Sequence, residues 1–314
     1  MPAAVQTGFD FTELVRLRRD IHAHPELKYE EHRTADKVVA YLNALGVPLV
    51  RGLGGTGVVA TIEGRRGGRA IGLRADMDAL PVQEVNKFGH VSTNPGRMHA
   101  CGHDGHTTML LGAAALLASK RDFDGTVHLI FQPAEEGGAG ARAMMEDGLF
   151  KRFPCEAVFA LHNWPALPSG KMAVRVGPIM ASANRFEVRV KGKGGHAAQP
   201  HTTIDPIPVA CAIVGHLQTL VSRGTDPLDS AVLTVGKVEA GTVENIIPDE
   251  AAIFGTCRTL SADTLQRLVD GIERIAKHVA AAHGATAQVT IKPGYPCTTN
   301  HPREAQFMGE VMGE

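Results

Sequence analysis

The sequence predicts an α/β protein of two domains, and three observations lead there. Its 314 residues are enough chain for about two domains with sizeable cores. Up to about residue 178, short β-rich runs alternate with helical ones, as in layered α/β domains. Beyond that point the order becomes β-α-β-β-α-β, the split arrangement of ferredoxin-like domains.

The elements follow in order. Residues 12–23 (TELVRLRRDIHA) read as a helix that stops near Pro25. A second helix over 31–45 aligns Ala35, Val38, Val39, Leu42 and Leu45 on one face and ends at Gly46, a good left-handed terminator. Residues 57–62 and 70–75 read as strands, 104–118 as a buried helix and 126–132 as a strand. Residues 140–147 form a short helix and 157–162 a further strand. The glycine-rich run 52–57 precedes a strand instead of joining strand to helix, so it reads as a turn and not a phosphate loop. In the second half, 185–190 alternates as a strand and 205–221 is helical. Strands follow at 231–238 and 251–257. An amphipathic helix covers 262–283, with Leu265, Leu268, Ile272, Ile275 and Val279 facing the core, and a last strand spans 286–292. An inserted domain is therefore expected at about 180–293, with the chain returning to the first domain at Gly294.

Composition narrows the partners. Thirty-two basic and 33 acidic residues give a net charge of −1, which supplies no electrostatic reason for nucleic acid or an anionic membrane. No apolar run approaches the roughly 20 residues that span a bilayer, and the N-terminus lacks the pattern of an export signal. Five cysteines, at 101, 155, 211, 257 and 297, do not form a disulfide framework and fit a reducing cytoplasm. Histidine occurs 15 times, as often as all Phe, Trp and Tyr together, which directs attention to metal or proton chemistry.

Three predicted strands run into metal-capable residues, where open α/β sheets gather their functional groups. IGLRA leads into Asp76-Met77-Asp78, TVHLIFQ into Pro133-Ala134-Glu135-Glu136, and AVFAL into His162-Asn163-Trp164. Between the first two lies His99-Ala100-Cys101-Gly102-His103-Asp104-Gly105-His106. Each segment alone is a weak signal; together they bring thiolate, imidazole and carboxylate to one rim, a donor set for Zn²⁺ or a similar divalent ion. Two adjacent glutamates allow one to hold metal while the other moves a proton. Two metal ions about 3.5–4 Å apart would account for so many ligands.

These stretches, with RRDIHAHPEL (18–27), GKGGHAAQPH (192–201) and NIIPDEAAIFGTCRTL (245–260), resemble the metal-dependent amidohydrolases and peptidases that include aminoacylases, carboxypeptidase G and hippurate hydrolase. Within that group the chain is most similar to hippurate hydrolases, N-acyl-amino-acid amidohydrolases and auxin-conjugate hydrolases. The resemblance implies a zinc-peptidase-like α/β/α catalytic domain with an inserted ferredoxin-like lid or dimerisation domain. Its expected limits are 1–179 for the first part of the catalytic domain, 180–293 for the lid and 294–314 for the return. It implies Cys101, His103, Glu136 and His162 as metal ligands and Glu135 as the general base that activates a metal-bridging water. It implies Asp78 as the aspartate that orients a metal-site ligand, His196 as an oxyanion donor, and Asn245 and Arg258 at the substrate's carboxylate. Asp76 stands where other branches carry a metal-binding histidine, and is not assigned as a ligand. The implied cofactors are two divalent ions per subunit, Mn or Zn, with Co or Ni also suited to the donors.

The implied reaction is amide hydrolysis of small N-acyl amino acids by a cytoplasmic homodimer or homotetramer joined through the lid. The family's further metal-binding histidine, near its C-terminus, has no match before Glu314, so the last part of the catalytic domain is expected to be missing. Two other readings stand beside this one: a dipeptidase or carboxypeptidase using the same site, and a truncated, inactive dimerising binding protein. His24, His99 and His106 are read as supporting the site, and the His22-x-His24 pair as structural because it closes a helix before Pro25.

Overall fold

Residues 10–313 are described by the structure, a computed structural model. Helix α1 (Phe11–Ala23) starts where the Asp10 carboxylate accepts the Thr12 N–H. Helix α2 (His32–Ala44) buries Ala35, Val38 and Leu42, and Gly46 (φ +65°) ends its last turn. Strands β1 (Leu49–Leu53) and β2 (Gly57–Glu63) form an antiparallel hairpin, and the glycine-rich run is the turn between them. After β3 (Arg66–Asp76) come α3 (His103–Lys120), β4 (Asp124–Gln132), α4 (Gly140–Glu146), α5 (Leu149–Arg152) and β5 (Ala157–Ala160).

The sheet runs β1-β2-β4-β3-β5, with β4, β3 and β5 mutually parallel. Alternation along its strands sorts residues to two faces. Val58, Ala60, Ile62, Val127, Leu129 and Phe131 pack with α1, α2 and α3, whereas Val59 and Ile130 face Met144 and Leu149 of α4 and α5. Helices on both faces make three layers, as the α/β pattern requires. Strand β5 stops at Ala160, two residues short of the expected end. Only 157–160 have partners on β3, and the His162 ring bonds instead to the Asn163 carbonyl.

This layered sheet lies in one of two units, Met1–Gly170 and Lys171–Glu314. The second contains β6 (Gly177–Met180), β7 (Asn184–Lys191), β8 (Gly195–His196), α6 (Pro206–Leu217), α7 (Thr219–Ser222), β9 (Ala231–Ala240), β10 (Ile246–Ile247) and β11 (Glu250–Thr259). It continues with α8 (Ala262–Ala282), β12 (Thr286–Lys292), β13 (Thr298–Asn300) and α9 (Pro302–Gly313). Its four-stranded sheet has the order β12-β7-β11-β9, all antiparallel, the ferredoxin-like arrangement. Phe186, Val188, Val190 and Ile253 pack with Ile213 and Leu217 of α6 and with Leu268, Ile272 and Ala276 of α8.

The helix expected over 205–221 breaks at Gln218, where the Thr219 hydroxyl donates to the His216 carbonyl and competes with the helical ladder. Periodicity did not predict the pairing of β6 with β13, of β8 with β10, or helix α9. Among the described residues no helix is long and apolar enough to cross a membrane.

Candidate metal centre

The three parallel strands β4, β3 and β5 are adjacent, so their carboxyl ends open side by side. They deliver Glu135 and Glu136, Asp76 and Asp78, and His162. The turn before α3 adds Cys101, and the first residue of α3 adds His103. Potential ligand atoms of Cys101, His103 and His162 lie within 4.8 Å of one another, as do those of His103, Glu135 and Glu136. His103 is common to both groups and is buried.

Each donor is oriented by a neighbour. Asp78, its side chain fully buried, accepts the backbone N–H groups of Glu135 and Glu136, each at 2.9 Å. The same Asp78 carboxylate lies 3.3 Å from His103 Nδ1. His103 Nε2 is 3.6 Å from Asp76 Oδ2 and 4.0 Å from Glu136 Oε1. None of these approaches has hydrogen-bond geometry, so both ring nitrogens are buried without a directed partner. The His162 Nδ1–H donates to the Asn163 carbonyl at 2.7 Å, which turns Nε2 toward Cys101 Sγ at 3.4 Å. Gly102 (φ +99°) permits the tight turn between Cys101 and His103; a Cβ there would come 2.4 Å from Asn163 Oδ1.

The electrostatics favour positive charge at this point. Burial lowers the basicity of His103, but Asp78, Cys101 and Asp76 outweigh it and push its pKa up to about 11. His103 and His162 beside Cys101 pull its thiol below the ordinary range, toward the thiolate that ligates metal. Burial, then the charges of Glu136 and Asp76, raise the Glu135 carboxyl, the direction a proton-accepting group needs at neutral pH. Unpartnered buried nitrogens, a thiol inclined to ionise and flanking carboxylates together fit a divalent cation.

A third group of potential ligands, Asp76, His103 and His106, is closed by its own partners. Arg74 donates to Asp76 Oδ2 at 2.8 Å, and His106 Nδ1 lies 2.6 Å from Asp76 Oδ1. On its other side, His106 Nε2 lies 2.5 Å from Asn163 Oδ1 and 3.0 Å from the Asn163 backbone nitrogen, so both ring nitrogens are taken. This chain of bonds ties the ends of β3 and β5 together.

Of the pair His22-x-His24, His22 is the one inside: its nitrogens lie 2.8 Å from Asp104 Oδ2 and 3.1 Å from Glu84 Oε1. His24 remains partly exposed, with Nδ1–H donating to the Asp20 carbonyl. His99 is buried with neither nitrogen hydrogen-bonded, and burial pulls its pKa down to about 4, so it is neutral. Glu31, Glu84 and Asp104 are also buried, and sequence reasoning passed over them because each reads as an ordinary loop or helix-terminal acid.

The remaining expected residues lie in the second unit. His196 on β8 pairs with Ile246, and the Ala197 N–H donates to the Asn245 carbonyl, so His196 and Asn245 are neighbours. Both are exposed. Arg258, also exposed, pairs with Val232 near the end of β11, eight residues along from Glu250. At about 3.3 Å per residue it is far from the other two within this unit.

Residues 72–314 match the family described as peptidase family M20/M25/M40. The chain belongs to this family. It is 44% identical over 295 residues to the N-acetylcysteine deacetylase of Bacillus subtilis, covering 92% of this chain and 76% of that one. It is 41% identical over 302 residues to the hippurate hydrolase of Campylobacter jejuni, covering 96% and 79%. Among solved structures, a dinuclear metal-binding M20 peptidase of Bacillus subtilis superposes with a TM-score of 0.83 at 39% identity, covering 96% and 79%. This M20 chain is a hydrolytic enzyme acting on amides, and the cluster around His103 supports divalent metal as its cofactor class.

Proposed function

We propose that the chain hydrolyses the amide bond of N-acyl amino acids, releasing a carboxylic acid and a free amino acid. The observation that carries this reading is the junction of Glu135 with the His103 cluster. A carboxyl raised by burial sits in the same rim as a thiol, two imidazoles and a second carboxylate. Cys101, His103, Glu136 and His162 would hold two divalent ions, Mn²⁺ or Zn²⁺. Bound there, such ions supply Lewis-acid polarisation and make water a nucleophile near neutral pH.

Glu135 takes the proton from the attacking water and returns it to the leaving nitrogen. Its neighbour Glu136 stays directed at the cluster because Asp78 holds both of their amides. His196 would steady the oxyanion. Asn245 and Arg258, which lie apart in the second unit, would each reach the substrate carboxylate only from different subunits of an oligomer, and a guanidinium is a suitable partner for it. A cytoplasmic homodimer or homotetramer built through the second unit completes the reading.

The test is hydrolysis of hippurate and N-acetyl amino acids by the full chain with added Mn²⁺ or Zn²⁺. Loss of a general base lowers the rate by about 10²–10⁴-fold, so Glu135→Gln should do the same while still binding metal. Parent-level activity in that variant would sink the assignment. Faster turnover of dipeptides than of acyl amino acids would move the chain to the dipeptidase or carboxypeptidase reading. No metal uptake and no turnover would leave a binding protein.

A further inference from the structure

Glu31 is a buried carboxyl that the reaction above does not use. It stands at the start of α2, where an acid ordinarily caps its own helix. Its side chain makes no such bond. Instead the carboxylate is turned toward β2 and the loop after β4. The Thr56 hydroxyl donates to Oε2 at 2.6 Å, and the Ala134 N–H donates to Oε1 at 2.8 Å. Glu31 and Ala134 are both fully buried, and Thr56 nearly so.

We propose that Glu31 is a positioning residue for the catalytic base: by holding the Ala134 amide it sets the direction in which Glu135 leaves the loop. The proposal rests on the reading of Glu135 as that base.

The loop geometry supports it. Ala134 has φ +51°, a left-handed conformation that a non-glycine residue keeps only when its surroundings impose it. The amides of residues 134, 135 and 136 are all taken by buried carboxylates, the first by Glu31 and the next two by Asp78. On the carbonyl side, Gly140 N–H donates to the Ala134 oxygen at 3.1 Å, and the Tyr29 hydroxyl donates to the Gly138 carbonyl at 2.6 Å. A Cβ on Gly140 would fall 1.8 Å from the Pro133 oxygen, so the turn closes tightly on itself. Asp78 thus fixes the plane of the two glutamates, and Glu31 fixes the residue that leads into them.

A purely structural role at a fully buried position is met more cheaply by an apolar or neutral side chain. Burial raises the Glu31 carboxyl, while Thr56 and the Ala134 amide pull it back, so the protein opposes its ionisation and still keeps it. What a carboxylate supplies and an apolar group cannot is a fixed acceptor for the Ala134 N–H.

The experiment compares Glu31→Ala, Glu31→Gln and Thr56→Val in the full chain, with hippurate as substrate and Mn²⁺ added. Loss of a residue that orients an active group costs about 10–100-fold, so Glu31→Ala should lower kcat by that amount with KM within about threefold. Glu31→Gln keeps an acceptor oxygen for Ala134 and should return kcat to within about threefold of the parent. Thr56→Val loosens Glu31 without touching it and should show a smaller loss of the same kind, which keeps the test open should Glu31→Ala not fold. Hydrogen exchange over residues 131–140 supplies a readout independent of turnover: protection at the Ala134 amide should fall in Glu31→Ala and persist in Glu31→Gln. Parent-level kcat in Glu31→Ala overturns the proposal, as does an equal loss in Glu31→Gln. A fall in Mn²⁺ affinity that matches the fall in kcat also overturns it, because Glu31 would then serve the ligands. Full activity in Glu135→Gln would instead remove the base assignment, and the exchange result would still report on the Glu31–Ala134 bond.

Discussion

The sheet ends of the first unit and the sheet of the second use buried polar groups in opposite ways. In the first unit His22, Glu31, Asp76, Asp78, Glu84, His99, His103, Asp104 and His106 are all at most 6% exposed. In the second, the buried polar side chains among the described residues are Ser182, Asn184, Thr259 and Thr264, none of them charged. Its buried thiol, Cys257, is pushed up to about 11 by burial and stays neutral. Helices differ in the same sense. Helix α3 buries His103, Asp104, His106 and Thr107 beside Leu111 and Ala114, whereas α8 buries a stripe of Leu268, Ile272, Ala276 and Ala280. An ionisable group taken out of water costs several kcal/mol unless paired, so their concentration at one rim marks where the chemistry is. The core of the second unit is apolar, with neutral hydrogen-bonded groups such as Ser182 and Thr259 as its buried polar part.

Perturbing each region should therefore move different observables. Asp78→Ala removes the acceptor of two amides and the buried neighbour of His103. It should cost about 3–5 kcal/mol of stability, as breaking a buried charged network does. It should also weaken Mn²⁺ binding by about 10–100-fold, read by calorimetric titration. Ile272→Ala in the second unit should cost about 2–5 kcal/mol in denaturant unfolding yet leave Mn²⁺ affinity of the folded protein unchanged. A parallel fall in affinity would break the distinction between the regions.

Gly102→Ala forces a side chain into a left-handed position against Asn163, at a cost of about 1–3 kcal/mol. The cobalt-substituted protein should then show an altered thiolate-to-metal absorption band, since Cys101 and His103 flank the glycine. An unchanged band would separate that turn from the metal site.

The pH dependence is a finer probe. The Glu31 carboxyl is raised in the folded state, so its stabilising contribution is complete below the ordinary glutamate pKa of about 4.3 and is lost as pH rises through the folded value. Glu31→Gln should accordingly gain melting temperature relative to the parent at pH 7, and the gain should shrink at pH 4. The smallest effect is expected from Arg189→Ala. Its pair with Glu250 is exposed, and the partly buried Glu187 keeps Lys292 as a second cationic neighbour, so the melting temperature should change little.

Much of this was legible along the chain. The ferredoxin-like order followed from alternation at 185–190 and the apolar stripe of 262–283, and β7, α8 and β12 lie within a residue or so of those limits. The rim was visible as strands running into Asp76, Glu135 and His162, because strand ends and polar motifs are both local features. Legibility failed where a side chain ignores its own element. Glu31 opens a helix but serves a loop 103 residues away, and periodicity carries no sign of that. Asn163 reads as the residue after a histidine, yet its fit against Gly102 and His106 joins two ligand-bearing segments. The pairing of β6 with β13 spans more than 110 residues and involves strands too short for a pattern.

By itself, then, the sequence determined the longer strands and helices, which of their faces are apolar, and which residue types stand at the carboxyl ends of the central strands, but not the short strands of the second unit or helix α9. Burial of an apolar face is a property of spacing within one element, and spacing is written in the chain. Only the tertiary structure decided which distant polar groups meet. It chose His22 over His24 as the buried partner of Asp104, gave Asp78 two amides and left His103 without a directed hydrogen bond. A hydrogen bond depends on distance and angle to within a few tenths of an ångström, and those are set only when the layers pack.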